Sequence, residues 1–125
     1  MELWNNPSCS KSACARTALD AAGFPYRLRP YLEEPPTADE LIDVLGRLGA
    51  RPWDICRTGE PAALARGMAD WPREERDVRR WIDAMVEAPE LIQRPILLLD
   101  DGSAVVARTA EAVDEALRRT HRQPG

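Results

Sequence analysis

The chain is short of several residue types, and each shortage excludes something. It has one histidine and three cysteines in 125 residues, so a Cys/His zinc centre is not expected. The odd cysteine count and the absence of a Cys-x-x-Cys pair argue against a disulfide scaffold and for a reducing compartment. No apolar run approaches the ~20 residues that cross a bilayer. Met1 to Pro7 offers neither a basic nor an apolar segment, so no secretory leader is expected and the cytoplasm is the expected location. Lysine occurs once, at Lys11, and every other basic residue is an arginine. With so many arginines, only position can single one out as an anion ligand. A net charge of −4 provides no general attraction for nucleic acid or an anionic membrane.

What is present suits a globular chain. Hydrophobic residues make up 44 % and charged residues 30 %, enough to build one core at this length. A single domain over residues 1–120 is expected, with a polar, flexible tail at 121–125.

The pattern of elements is readable. Glu2 to Trp4 is a short strand. A polar loop follows, and then a helix over Ala13–Ala22, with Ser12 as N-cap and Gly23 as stop. Pro25–Pro30 alternates as a strand, Tyr26 and Leu28 on one face and Arg27 and Arg29 on the other. Thr37-Ala38-Asp39-Glu40 is a capping box ahead of Leu41, Ile42, Val44, Leu45 and Leu48 at helical spacing, closed by Gly49. Residues 52–68 read as short helical pieces. Pro72 opens a further helix whose buried face is Val78, Trp81, Ile82, Met85 and Val86, and Pro89 ends it. Two apolar strands then flank Asp101-Gly102, a strong hairpin signal. A last helix over Ala110–Arg119 uses Val113, Ala116 and Leu117.

The order is β-α-β, helices, then β-β-α. The fold class expected is α/β: a four-stranded mixed sheet flanked by helices, with a helical insertion between the βαβ and ββα halves. That is the thioredoxin-like order, in which the proline opening the hairpin strand is cis. Pro95 holds that place.

The chemistry concentrates in Asn6-Pro7-Ser8-Cys9-Ser10-Lys11-Ser12, between the first strand and the first helix. A helix N-terminus favours negative charge, and its N–H groups point at whatever precedes it. A thiol there is held as thiolate. Lys11, Ser10 and Ser12 add donors for the sulfur or for a bound anion. Cys9 therefore reads as a nucleophile, against the plainer reading of a small buried residue. Cys14, in the first helical turn, reads as a small core-facing residue rather than a resolving thiol. Cys56 receives no role. The tryptophans read as core, except that Trp4 adjoins the loop and is a candidate lining residue.

These residues resemble the glutaredoxin-coupled arsenate reductases and their relatives. The resemblance covers nearly the whole chain. It is carried by the cysteine loop, by Tyr31-Leu32-Glu33-Glu34-Pro35-Pro36-Thr37, by Ile55-Cys56-Arg57, by Leu91 to Ile96 and by Val105 to Arg108. It implies that Cys9 attacks an arsenate-like oxyanion held by Arg57, Arg94 and Arg108, with Lys11 and Ser12 assisting. Guanidinium groups suit a tetrahedral oxyanion because their planar forks pair with two oxygens at once. The resemblance also implies no bound cofactor. The reductant would be an external thiol, glutathione or an equivalent, with a glutaredoxin-like reductase clearing the mixed disulfide and the protein working as a monomer. Two positions depart from the family's habit: Asn5 stands where a histidine is common, and Ala13 where an arginine is common. Both lower the positive charge available to the sulfur. Two other readings stay open: a glutathione- or thiol-binding redox protein with degraded arsenate activity, and a redox-responsive regulator of the same fold.

Overall fold

The computed structural model describes residues 1–6 and 10–122, with Cys9 outside the described residues. The chain divides into two compact units, Met1–Glu34 with the segment from Arg94 onward, and Pro35–Gln93.

The first unit holds the sheet. Strand β1 (Glu2–Trp4) is followed by helix α1 (Ser10–Ala22) and strand β2 (Arg27–Arg29). After the second unit come β3 (Ile96–Leu98), β4 (Ala104–Val106) and a last helix, numbered α5 below. The strand order is β2-β1-β3-β4. β1 runs parallel to β2 and antiparallel to β3, and β3 runs antiparallel to β4. The sheet is mixed and four-stranded, as the element order requires.

Leu3 pairs with Leu97 in the ladder. Both are fully buried and join Ala15 and Leu19 of α1 with Val113 and Ala116 in one apolar cluster. The alanines let these helices lie close, and this burial is the main stabilising term of the unit. β2 is shorter than the expected Pro25–Pro30. Tyr26 packs against the cluster, but Leu28 is exposed, because β2 is the edge strand.

The hairpin closes around Asp100-Asp101-Gly102. Leu99 N–H donates to Ser103 C=O at 2.9 Å, and Gly102 N–H donates to Leu99 C=O at 3.2 Å. Gly102 takes φ 89°, the left-handed residue a three-residue hairpin loop needs. The Arg94–Pro95 peptide bond is cis.

Two helix limits differ from the sequence reading. α1 begins at Ser10 rather than Ala13, and Ser12 is not its cap. The Ser12 side chain is buried, and its hydroxyl accepts the Asn6 N–H at 3.3 Å. The final helix runs from Ala110 to Arg122, so residues 121 and 122 are helical rather than tail; residues 123–125 lie outside the described residues. Thr109 starts it, its hydroxyl accepting the Ala112 N–H at 3.0 Å.

The second unit is helical: α2 (Ala38–Leu48), α3 (Pro61–Arg66) and α4 (Val78–Glu87), with one 3-10 turn between α2 and α3 and two between α3 and α4. α2 carries the expected capping box and a left-handed Gly49. Pro72 does not open α4. A 3-10 turn at Glu75–Asp77 comes first, with Glu74 N–H donating to the Asp77 carboxylate at 3.3 Å. Trp81 is fully buried, with Trp53 and Trp71 packed edge-on at 6.0 and 5.5 Å between ring centroids. Among the described residues no helix is long and apolar enough to cross a membrane.

Candidate active site

Strand direction decides which loops meet. β1 and β4 point the same way, because each is antiparallel to β3. The chain therefore leaves both strands at the same end of the sheet, and α1 and α5 (Ala110–Arg122) begin there. Two helix N-termini, each with a partial positive charge, thus belong to one end. β3 starts at that end too. Trp4 pairs with Ile96, and Ile96 with Val106. One rung further, Ala107 N–H donates to Pro95 C=O at 2.9 Å. The next residues outward are Asn6, Arg94 and Arg108. Strand register thereby places two of the three expected oxyanion arginines on neighbouring backbone at one sheet end.

Lys11, in the first turn of α1, shares a cleft of about 400 Å³ with Arg108. Cys14 and Asp114 also line it, over a floor that includes Ala15 and Ala107. Cys14 is exposed, which corrects its reading as core-facing: the buried stripe of α1 is Ser12, Ala15 and Leu19. Among the described residues no group of three or more His, Cys, Asp or Glu side chains could hold a metal ion.

Arg57 belongs to the second unit. Its N–H donates to Leu91 C=O at 2.7 Å, beside a bridge between Cys56 and Ile92. Its guanidinium pairs with Glu60 at 3.0 Å, a partner the sequence reading did not weigh. Cys56 is half-buried, and burial pushes its thiol up to about 11, with Arg73 pulling weakly the other way. It is a protonated thiol at neutral pH and a poor nucleophile.

Trp4 is buried and stacks on Tyr31 at 6.3 Å, with the Arg29 guanidinium 5.8 Å from its ring centroid. It is a packing residue rather than a lining one. Asn5 is buried beside it, its N–H donating to Arg29 C=O at 2.8 Å. Cys14 and Asp114 are the cleft residues that sequence reasoning missed. Helical spacing from Lys11 and Thr109 was the only available signal, and without the strand order it points nowhere.

The sheet order, the cis proline opening β3 and the strand-to-helix turns at one end define a thioredoxin-like protein. Residues 4–116 match the ArsC family, and the chain belongs to that family. It is 52 % identical over 119 residues to an uncharacterized protein in the glnII region of Streptomyces viridochromogenes, covering 95 % of this chain and 100 % of that one. It is 31 % identical over 118 residues to an arsenate reductase of Neisseria meningitidis, covering 94 % of this chain and 97 % of that one. The solved arsenate reductase from Vibrio cholerae superposes with a TM-score of 0.78 at 27 % identity, covering 94 % of this chain and 97 % of that one.

Proposed function

We propose that this protein is a thiol-dependent oxidoreductase that reduces arsenate or a closely similar oxyanion. The observation that carries the reading is the placement of Arg94 and Arg108 on one rung of the β3–β4 register, at the sheet end where α1 and α5 begin. That end gathers two arginines, Lys11 and the start of α1, which has no acid in its first turn, and a reaction between two anions requires such positive groups. Membership of the ArsC family and likeness to proteins named arsenate reductase support it.

In this reading the Cys9 thiolate, favoured by the start of α1 at Ser10, forms a bond to arsenic. A hydroxide leaves as water after taking up a proton. An external thiol of the glutathione class supplies the second sulfur. The two sulfurs give up two electrons, arsenic(V) becomes arsenic(III), and a disulfide between Cys9 and the external thiol remains for a glutaredoxin-like reductase to reduce. The balance is one arsenate and two thiols to one arsenite, one disulfide and one water. Arg94 and Arg108 neutralise the oxyanion, with Lys11 beside them. Arg57 is assigned as the third guanidinium by resemblance, and to serve it must give up Glu60. Ser12 acts by holding the start of α1 to Asn6, through a hydroxyl that already accepts one hydrogen bond. The protein works in the cytoplasm as a monomer with no resident cofactor.

The test is arsenate-dependent thiol consumption with glutathione and glutaredoxin. Cys9→Ser abolishes it, whereas Cys14→Ser and Cys56→Ser retain most of it. An equally dead Cys14→Ser protein would remove Cys9 from its place as sole nucleophile.

A further inference from the structure

We propose that the cleft between α1 and α5 binds the external thiol itself, recognised as a small molecule with a carboxylate at one end and an α-amino-acid group, ammonium beside carboxylate, at the other. The inference rests on the functional reading above and adds the co-substrate's site to it. The volume is the first argument. About 400 Å³ lies within the ~300–1,000 Å³ typical of sites for small organic ligands, and one tetrahedral oxyanion fills a small part of it.

The second argument is the order of charges along the cleft. Lys11 and Arg108 line the cleft at the starts of α1 and α5, where a carboxylate gains from both side chains and from the α1 end, whose first turn holds no acid. Asp114 is the acidic residue in the lining. It sits five positions beyond Thr109 on α5, about 7 Å along the helix axis at the usual rise. A ligand bridging the two ends must therefore be negative at one and positive at the other over roughly that span. Between them the lining is small and apolar, with Ala18 and Val113, and suits a short aliphatic backbone. A γ-glutamyl-type tripeptide thiol can offer its glycine carboxylate to Lys11 and Arg108 and its glutamyl ammonium to Asp114, with the glutamyl carboxylate left to solvent, and a bare oxyanion or a hydrophobic metabolite offers no such pair.

The exposed Cys14 thiol lies in the same lining and serves as a reporter. The test uses the reduced full-length Cys9→Ser protein and S-methylglutathione, which cannot form a disulfide. Iodoacetamide labelling of Cys14 is followed by peptide mass spectrometry, with Cys56 as internal control. S-methylglutathione should slow Cys14 labelling several-fold and saturably in the millimolar range, with Cys56 labelling unchanged. Lys11→Glu and Asp114→Lys should each raise the half-protecting concentration about tenfold, the loss of one charge-assisted contact. Sodium sulfate at matched ionic strength should not give this protection. Unprotected Cys14 at about 20 mM, a concentration at which even millimolar binding saturates, would overturn the proposal. So would protection insensitive to both charge reversals. No arsenate enters the experiment, so its failure and a failure of arsenate turnover are separate results.

Discussion

Two helices of similar length, α1 with 13 residues and α2 with 11, treat their N-termini in opposite ways. α2 satisfies its free N–H groups locally. The Thr37 hydroxyl accepts from Glu40 N–H and the Glu40 carboxylate accepts from Thr37 N–H, each at 3.1 Å. Asp39 and Glu40 oppose the positive end of the dipole, Arg47 opposes the negative end, and Gly49 closes the helix. α1 has no acid in its first turn and no base in its last. It places Lys11, the chain's one lysine, where the dipole is already positive. A helix built for its own stability does not do this. In this contrast α2 is built for its own stability, and α1 leaves its positive end unneutralised.

The two units also treat their thiols differently, and the largest predicted effect breaks or upholds that contrast. Cys14 is exposed and Cys56 is half-buried with its thiol pushed up to about 11. An ordinary thiol titrates near 8.5. At pH 8 the Cys56 thiolate fraction should therefore be lower than an ordinary thiol's by roughly two orders of magnitude. Iodoacetamide labelling at that pH should modify Cys14 and leave Cys56 nearly untouched, with Cys56 labelling rising only as pH approaches 11. The charged form is the one disfavoured in the folded state. The stability from keeping this thiol neutral is thus complete below about 8.5 and lost as pH climbs towards the folded value. Equal labelling of both cysteines at pH 8 would contradict the burial.

Next in size are the arginines. Arg94 lies one rung beyond the Pro95–Ala107 backbone contact, and Arg57 is paired with Glu60. Arg94→Ala should weaken arsenate or sulfate binding by about 1.5–3 kcal/mol, the worth of a charge-assisted hydrogen bond. Arg57→Ala should cost less than a full charge-assisted contact, because the wild-type side chain must first leave Glu60. Calorimetric titration of each variant with sulfate measures both losses. An unchanged affinity in Arg94→Ala would remove it from the site.

How far the sequence shows all this depends on whether the signal is local. α2 was readable to the residue because its caps are side chains three positions apart. The start of α1 was not, because the Ser12 hydroxyl that resembles a cap turns inward to Asn6, and a tertiary contact overrides a local habit. Pro72 misled for a related reason: the Glu74–Asp77 contact delays α4 by most of two turns. Of the residues proposed for the site, Arg94 and Arg108 are reached only through the family resemblance. What joins them is strand register, which no single segment encodes. Asp114 was invisible because the cleft exists only once α1 and α5 lie on the same face of the sheet.

A smaller effect probes the stabilising side of the contrast. Thr37→Ala removes one half of the α2 capping box and leaves Glu40 N–H without its side-chain acceptor. The expected loss is about 1 kcal/mol of unfolding free energy in a urea titration. Oxyanion affinity should stay as in the wild type, because this cap serves the second unit alone. A fall in affinity as large as that of Arg94→Ala would mean that the α2 cap is more than a stabilising device.

The smallest stability change is the most informative, because its sign differs from that of its functional effect. Lys11→Glu replaces a cation with an anion in the first turn of α1, where the helix dipole favours the anion by about 0.3–1 kcal/mol. The variant should therefore unfold at slightly higher urea than the wild type while binding sulfate more weakly. Most substitutions that harm a site either destabilise the protein or leave stability unchanged. A gain in stability coupled to a loss of binding is the signature of a positive charge kept for function at a structural cost. If Lys11→Glu lowered stability instead, Lys11 would be a structural residue of α1, and the positive end would owe nothing to selection for anions.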